Sequence, residues 1–204
     1  MPVTKKVRPN FSVLHGKTAR LIFCALAGIV LSTGDMGHVY SGMAEYPHWQ
    51  GSRFFNIPWW VPFEFAAAAL LLIQTYPFKK RLFKLSDTPS DGWSPLLVSF
   101  LWTWAIYLGT SLIPESHPLI KFTLLLVALA AQIALNRMFY VGSLLEILSL
   151  AVGGCAVEFC LGKLGIFIYF PSPSIVGIIP QWLAIIYASA AVTVRIFCTN
   201  GRVG

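Results

Sequence analysis

Six apolar stretches, separated by short polar connections, organise the whole chain. Each stretch is close to the ~20 residues that an α-helix needs to cross the hydrocarbon core of a bilayer. Prolines at the start of several stretches, and just after the end of others, are typical of helix boundaries. The pattern predicts an all-α integral membrane protein, a six-transmembrane-helix bundle in one domain over residues 1–204. The expected helices are at about 19–36, 58–76, 95–113, 119–136, 141–162 and 180–198.

Composition agrees with this pattern. The chain is 56% hydrophobic and only 11% charged, and its mean hydropathy is +0.70. A soluble domain carries about 25% charged residues. Because the connections are short, we expect no soluble catalytic domain, and any activity must lie within the bilayer or at its surface.

The distribution of lysine and arginine predicts the orientation. The net charge is +7, but the basic residues lie in short connections rather than on one polar face, which argues against a nucleic-acid partner. Cytoplasmic loops of membrane proteins carry an excess of Lys and Arg. Three basic residues fall on one side: Arg53, Lys121 and Lys163. Twelve fall on the other: Lys5, Lys6, Arg8, Lys17, Arg20, Lys79, Lys80, Arg81, Lys84, Arg137, Arg195 and Arg202. Both termini are therefore predicted to be cytoplasmic (N-in/C-in).

Polar side chains within the spans are the first candidates for a site. A charge at membrane depth costs at least ~2.5 kcal/mol on insertion scales, so each needs a compensating partner or a role. Glu64 lies in the second span, Gln132 in the fourth, and Glu146 and Glu158 in the fifth. Each could be functional or could form hydrogen bonds between helices. No basic partner is expected inside the spans.

The fifth span also carries a stripe of small and polar residues. Successive members are separated by three or four residues, which places them on one helix face. Such a stripe either lets a second helix approach closely or lines a cavity. Glu158 points to the opposite side. The stripe consists of Gly142, Glu146, Ser149, Gly153, Ala156 and Cys160.

Three segments resemble the Insig family, the sterol-responsive regulators of the animal endoplasmic reticulum and their bacterial relatives. Residues 59–62 (Trp-Trp-Val-Pro) stand at the head of the second span. Residues 135–137 (Leu-Asn-Arg), followed by Gly142, resemble the end of the family's fourth helix. Residues 171–174 (Pro-Ser-Pro-Ser), with Trp-Leu at 182–183, resemble the approach to its sixth. The resemblance covers about residues 55 to 198 and indicates a bacterial homologue.

The resemblance implies a non-enzymatic lipid-binding or sensor protein, with an intramembrane pocket for a sterol or a neutral lipid such as diacylglycerol. No cofactor is expected, and no metal is expected either, because the histidines and acids of residues 35–48 match no known spacing of metal ligands. Glu64 in the pocket wall could accept a hydrogen bond from a lipid hydroxyl. The expected lipid-binding residues are Trp59, Trp60, Pro62, Glu64, Gln132, Glu146, Ser149 and Gly153.

Two departures from the animal members affect the expected partners. Phe-Glu-Phe at 63–65 stands where those proteins have Pro-Cys-Cys, and Asn136 stands where they carry an aspartate tied to partner engagement. Partners with a sterol-sensing domain are therefore doubtful, whereas a membrane lipid and a homo-oligomer remain expected. A bacterial plasma membrane is the expected location, or the endoplasmic reticulum in a eukaryote.

Other functions remain open. Residues 62–64 (Pro-Phe-Glu) match the minimal Pro-x-Glu pattern of membrane-embedded carotenoid cyclases and hydratases, in which Glu64 would be the acid. A small transporter would need polar groups converging on one path, and a structural scaffold would need none.

Overall fold

The structure, a computed structural model, describes residues 17–86, 93–170 and 177–199. Several residues used above lie outside this range: Lys5, Lys6, Arg8, Arg202 and the Pro-Ser-Pro-Ser segment at 171–174.

The described residues form a mostly helical bundle with four two-residue strands. The helices are α1 (Lys17–Tyr40), α2 (Val61–Leu82), α3 (Trp93–Leu112), α4 (Pro118–Leu135), α5 (Val141–Lys163) and α6 (Leu183–Thr199). The strands are β1 (Ala44–Glu45), β2 (Arg53–Phe54), β3 (Ile57–Pro58) and β4 (Ile168–Tyr169). Strand β1 pairs antiparallel with β4, and β2 pairs antiparallel with β3.

Helix α6 is the centre of the bundle. Thirteen of its 17 residues are buried, and it packs against α2, α3, α4 and α5. A helix that is apolar all round is expected in such a core position. Helix α1 packs on α2 and α3, whereas α5 packs mainly on α6. Helices α2 and α5 therefore flank the centre without packing closely on each other.

The two ends of the bundle differ in chemistry. At one end, which we call the strand end, the β1–β4 pair lies beside the start of α6, where Trp182 donates a hydrogen bond to Glu115 (3.0 Å). Glu115 also forms an ion pair with the buried Lys121. At the other end, the basic end, the end of α2 meets the start of α5 and the end of α6. Residues 17–20, 79–84, 137 and 195 bring eight Lys and Arg side chains to the basic end.

The prediction of a helical membrane protein is confirmed in its coarse form. Among the described residues, five helices are long and apolar enough to cross a membrane, and α6 is a shorter apolar helix of 17 residues. The count of six membrane spans and the N-in/C-in orientation stay predictions. The strands were not predicted, because two residues are too few to leave a hydrophobic period.

Candidate functional site

A cavity of about 80 Å³ lies between α1, α2, α3 and α6. Most of its wall is apolar, and small side chains such as Ala27 and Ala69 leave the space open. Ala68 lies at its edge and is exposed, so the cavity reaches the outer surface of the bundle. Pockets that enclose a small-molecule ligand usually measure about 300–1,000 Å³. This cavity therefore has room for no more than a small part of such a ligand, for example one ring or a short length of chain.

Glu158 is the one acidic side chain in the cavity wall, and α5 contributes no other lining residue. Its Oε1 accepts a hydrogen bond from the hydroxyl of Tyr187 on α6 (2.7 Å). The hydroxyl of Tyr169 on β4 lies 3.4 Å from Oε2. No Lys, Arg or His in the described residues forms an ion pair with Glu158. Because a carboxyl group offers about four acceptor positions, Glu158 keeps acceptor capacity for a hydroxyl in the cavity.

Gly154 makes room for Tyr187. A Cβ atom at position 154 would lie 2.2 Å from Cγ of the Tyr187 ring, far inside van der Waals contact. The missing side chain lets the ring lie against α5 one turn before Glu158, which is close enough for the hydroxyl to reach the carboxyl group.

Asp35 and Tyr107 form a second pair of the same kind. The Tyr107 ring lines the cavity, and its hydroxyl donates to Asp35 Oδ1 (2.7 Å). A Cβ at Gly34 would lie 2.5 Å from the Tyr107 ring, so a glycine again makes room for the tyrosine. The other oxygen of Asp35 accepts a hydrogen bond from Tyr46, which follows strand β1. His38 Nδ1 lies 3.9 Å from Asp35 Oδ1.

The two tyrosines of the strand end that reach these carboxyl groups are held in the protonated form. Burial, followed by the negative charge of Asp35, raises the pKa of Tyr46 far above its ordinary value. Burial and the charge of Glu158 likewise raise the pKa of Tyr169 well above that value. Both phenols therefore remain hydrogen-bond donors throughout the physiological range.

Gln132 lies behind the cavity wall rather than in it. Its amide nitrogen donates to Ser99 Oγ (3.0 Å) and Thr103 Oγ1 (3.1 Å), and its oxygen accepts from Ser189 Oγ (2.7 Å). These contacts join α4 to α3 and α6. Thr103 itself lines the cavity, so Gln132 fixes the position of a wall residue.

Glu146 has a basic partner, which corrects the expectation that the spans contain none. It is 1% exposed and its Oε2 lies 3.4 Å from Nη1 of Arg195. Arg195 is one of the twelve basic residues predicted on the cytoplasmic side, but it lies within α6 and is itself 1% exposed. Its guanidinium also donates to Ser143 Oγ (2.5 Å) and to the Ser86 carbonyl (2.8 Å). This cluster belongs to the basic end and is absent from the cavity wall.

The predicted residues at the head of α2 also lie outside the wall. Trp59 is 51% exposed, while Trp60 packs edge-on against Tyr46 (5.8 Å between ring centroids). The carbonyl oxygen of Pro62 would lie 2.3 Å from a Cβ at Gly28, which marks a close crossing of α1 and α2. Glu64 is exposed, whereas the next residue, Phe65, lines the cavity.

The small-residue stripe of α5 faces away from the bundle over most of its length. Ser149, Gly153, Ala156 and Cys160 are exposed, and nothing lies within 4 Å of a Cβ built on Gly153. None of the eight predicted lipid-binding residues is among those that line the cavity. Tyr107 and Tyr187 line the cavity and were not predicted. Glu158 was considered among the polar side chains within the spans, and its direction away from the stripe was noted, but it was not placed among the lipid-binding residues.

The fold is similar to that of two crystal structures. One is a mycobacterial Insig homologue, MvINS from Mycobacterium vanbaalenii, with 21% identity over 93% of this chain and 97% of that one and a TM-score of 0.76. The other is a cross-linked MvINS trimer carrying an arginine-to-cysteine substitution, with 20% identity over 90% and 94% and a TM-score of 0.75. No protein-family model and no curated protein sequence matches the chain. The chain is therefore a multi-pass membrane protein with the fold of a bacterial Insig homologue.

Proposed function

We propose that this protein is a non-enzymatic lipid-binding or sensor protein of the membrane, and that it holds part of a sterol or another neutral lipid such as diacylglycerol. The observation that carries the proposal is an apolar cavity, open at Ala68, with the carboxyl group of Glu158 in its wall. We further propose a single membrane domain with six spans and both termini in the cytoplasm, located in a bacterial plasma membrane.

The chemistry of the wall favours a neutral lipid that carries a hydroxyl. The hydroxyls of Thr103 and Tyr107 are already engaged, with Ser189 (2.8 Å) and Asp35 (2.7 Å) respectively. Glu158 is held by tyrosines and not by a cation, so it can accept from a further hydroxyl. An anionic head group would meet this carboxyl without a compensating positive charge. Apolar burial at ~25 cal/mol per Å² would supply most of the affinity, and the hydroxyl would set the orientation.

The isoprenoid cyclase alternative assigned the acid to Glu64. Glu64 is exposed and does not line the cavity, so its position does not support a role as the catalytic acid. A transporter would need a polar path across the bundle, whereas the polar side chains of the middle of the bundle are bonded to one another around Gln132.

Self-association is proposed for the exposed face of α5. Close approach of two membrane helices is favoured by small residues spaced four apart, and Ser149 and Gly153 have that spacing on a face that this chain leaves uncovered. MvINS, which has the same fold, was crystallised as a cross-linked trimer. A Gly153→Leu variant should therefore shift the protein to smaller assemblies in light scattering. Val152→Leu, at the neighbouring exposed position, should leave the assembly unchanged.

Lipid retention tests the main proposal. The protein is purified in mild detergent, analysed by native mass spectrometry and extracted for lipid identification. We expect a sterol-class lipid or diacylglycerol at close to one per chain. The Glu158→Leu variant loses one hydrogen bond to the lipid, worth about 1–1.5 kcal/mol. Retention of the neutral lipid should therefore fall about five- to tenfold in this variant. The Glu158→Gln variant keeps a hydrogen-bond acceptor and should retain more of the neutral lipid than Glu158→Leu does.

The matched control is Glu64→Gln, which changes an intramembrane carboxyl outside the cavity and should leave retention unchanged. Recovery of bulk phospholipid alone, in the proportions of the host membrane, would contradict the proposal. So would full retention of the neutral lipid by Glu158→Leu. If the wild-type protein converted an added isoprenoid to a product, the enzymatic alternative would replace the lipid-binding proposal.

A further inference from the structure

Within the part of the chain that the structure describes, the basic end of the bundle carries a strong excess of positive charge. Among the described residues, Glu146 is the only acidic side chain at this end, because the other described acids lie in the strand-end halves of their helices or in the strand-end connections. The eight basic side chains are Lys17, Arg20, Lys79, Lys80, Arg81, Lys84, Arg137 and Arg195.

Lys79 differs from the other lysines of this end. It lies in the last turn of α2, yet it is only 8% exposed. Its Nζ atom has no hydrogen-bond partner in the structure and no ion pair within 4.0 Å among the described residues. A buried ammonium group without a partner is costly unless an anion compensates it.

Glu146 does not fill that role. It interacts electrostatically with Lys79, but its carboxylate makes its ion pair with Arg195, at 3.4 Å. Among the residues that the structure describes, Glu146 is thus the one carboxylate close to both buried cations. Lysine donates up to three hydrogen bonds, all suited to an anionic oxygen.

We propose that Lys79 is the central donor of a site for the phosphate of an anionic phospholipid at the basic end, between α2, α5 and α6. The surroundings favour a lipid over free phosphate. Phe78 and Leu82 beside Lys79 on α2, and Val141 at the start of α5, are exposed by 67%, 58% and 73%. Side chains of this kind would lie against acyl chains while the phosphate reaches the lysine. Basic pockets between helices are typical sites for such head groups.

This site is separate from the cavity at Glu158 and does not depend on the proposed function. The cavity is lined by none of the residues of the basic end named here. A variant that empties the cavity, Glu158→Leu, should therefore leave binding at the basic end unchanged.

Competition between two phospholipids tests the proposal. Full-length protein in detergent is mixed with equimolar phosphatidylglycerol and phosphatidylcholine, and the lipids retained are counted by native mass spectrometry. We expect the wild type to retain phosphatidylglycerol preferentially, and Lys79→Gln to lose at least about fivefold of that preference. Lys84→Gln, which removes an exposed lysine of the same end, is the matched control and should keep most of the preference. Lys79→Arg should restore it in part.

Three results would overturn the proposal. One is equal retention of the two lipids by the wild type. This result does not depend on whether the Lys79→Gln variant stays monodisperse. Another is an unchanged preference in a well-folded Lys79→Gln variant. The third is displacement of phosphatidylglycerol by inorganic phosphate at similar concentration, which would assign the site to a soluble anion.

Discussion

Gly154 offers the sharpest test of how the cavity is built. In the Gly154→Ala variant, the new Cβ would lie 2.2, 2.3 and 2.5 Å from three atoms of the Tyr187 ring. To restore an ordinary contact of 3.4 Å, the ring or the spacing of α5 and α6 must shift by about 1.2 Å. The hydrogen bond from Tyr187 to Glu158, now 2.7 Å, would not survive a shift of that size unless the two residues moved together.

The neighbouring residue supplies a control with the same chemistry. Nothing lies within 4 Å of a Cβ at Gly153, which is exposed on the same helix. Both substitutions gain about 1 kcal/mol of helix propensity, but only Gly154→Ala adds an overpacking cost of about 1–3 kcal/mol. The difference between the two variants in free energy of unfolding should therefore be about 1–3 kcal/mol. For a chain of this size, each kcal/mol corresponds to about 2–4 °C in Tm.

Thermal unfolding in one detergent, followed by tryptophan fluorescence, measures the stability difference, and native mass spectrometry measures the retained lipid. We expect Gly153→Ala to be at least as stable as the wild type and to keep its lipid. Gly154→Ala should unfold at a lower temperature than Gly153→Ala. It should also retain about five- to tenfold less lipid. Equal Tm values and equal lipid retention would show that Tyr187 is not held against α5 as described.

Three further predictions concern other parts of the bundle. Gln132→Leu removes the bonds that join α4 to α3 and α6, so the free energy of unfolding should fall by about 1–3 kcal/mol, as measured by thermal unfolding. Arg195→Met removes the ion pair with Glu146 and should cost about 3–5 kcal/mol, and adding Glu146→Met should recover part of that loss in the same assay. The pKa of Tyr46 is raised in the folded protein, so its contribution is fully present below pH ~10 and lost as the pH rises further. A titration from neutral to alkaline pH should show a shallower decline in the stability of Tyr46→Phe than of the wild type.

The class of fold could be predicted from the sequence because it depends on composition and on the length of apolar stretches. The glycine–tyrosine–carboxylate arrangements could not, because Gly34 and Tyr107 lie far apart in the sequence, as do Gly154 and Tyr187. Nothing in the sequence around a glycine shows which ring will occupy the space beside it. The β1–β4 pairing could not be predicted for a similar reason, since it joins residues more than a hundred positions apart.

The fifth helix shows why the expected site residues differ from those that line the cavity. A stripe of small residues is compatible with a cavity, with a neighbouring helix of the same chain, or with a second copy. Ser149 and Gly153 of the stripe are expected lipid-binding residues, whereas the structure leaves their face of the helix exposed. Glu158, on the opposite side, faces the cavity. Periodicity identified the two faces of α5, but only the packing of α5 on α6 decides which face turns inward.

The two buried carboxyl groups of α5 are compensated in different ways, and the difference bears on function. Glu146 meets the guanidinium of Arg195, which takes up the charge of the carboxylate and belongs to a structural cluster at the basic end. Glu158 instead accepts from tyrosine hydroxyls, which are neutral donors. A carboxyl group held only by neutral donors can accept one more hydroxyl with little rearrangement, but it would repel an anion that brings no cation of its own. This environment makes Glu158, rather than Glu146, suited to the neutral lipid that we propose, while the proposed site for a phosphate-bearing lipid lies at the basic end of the bundle.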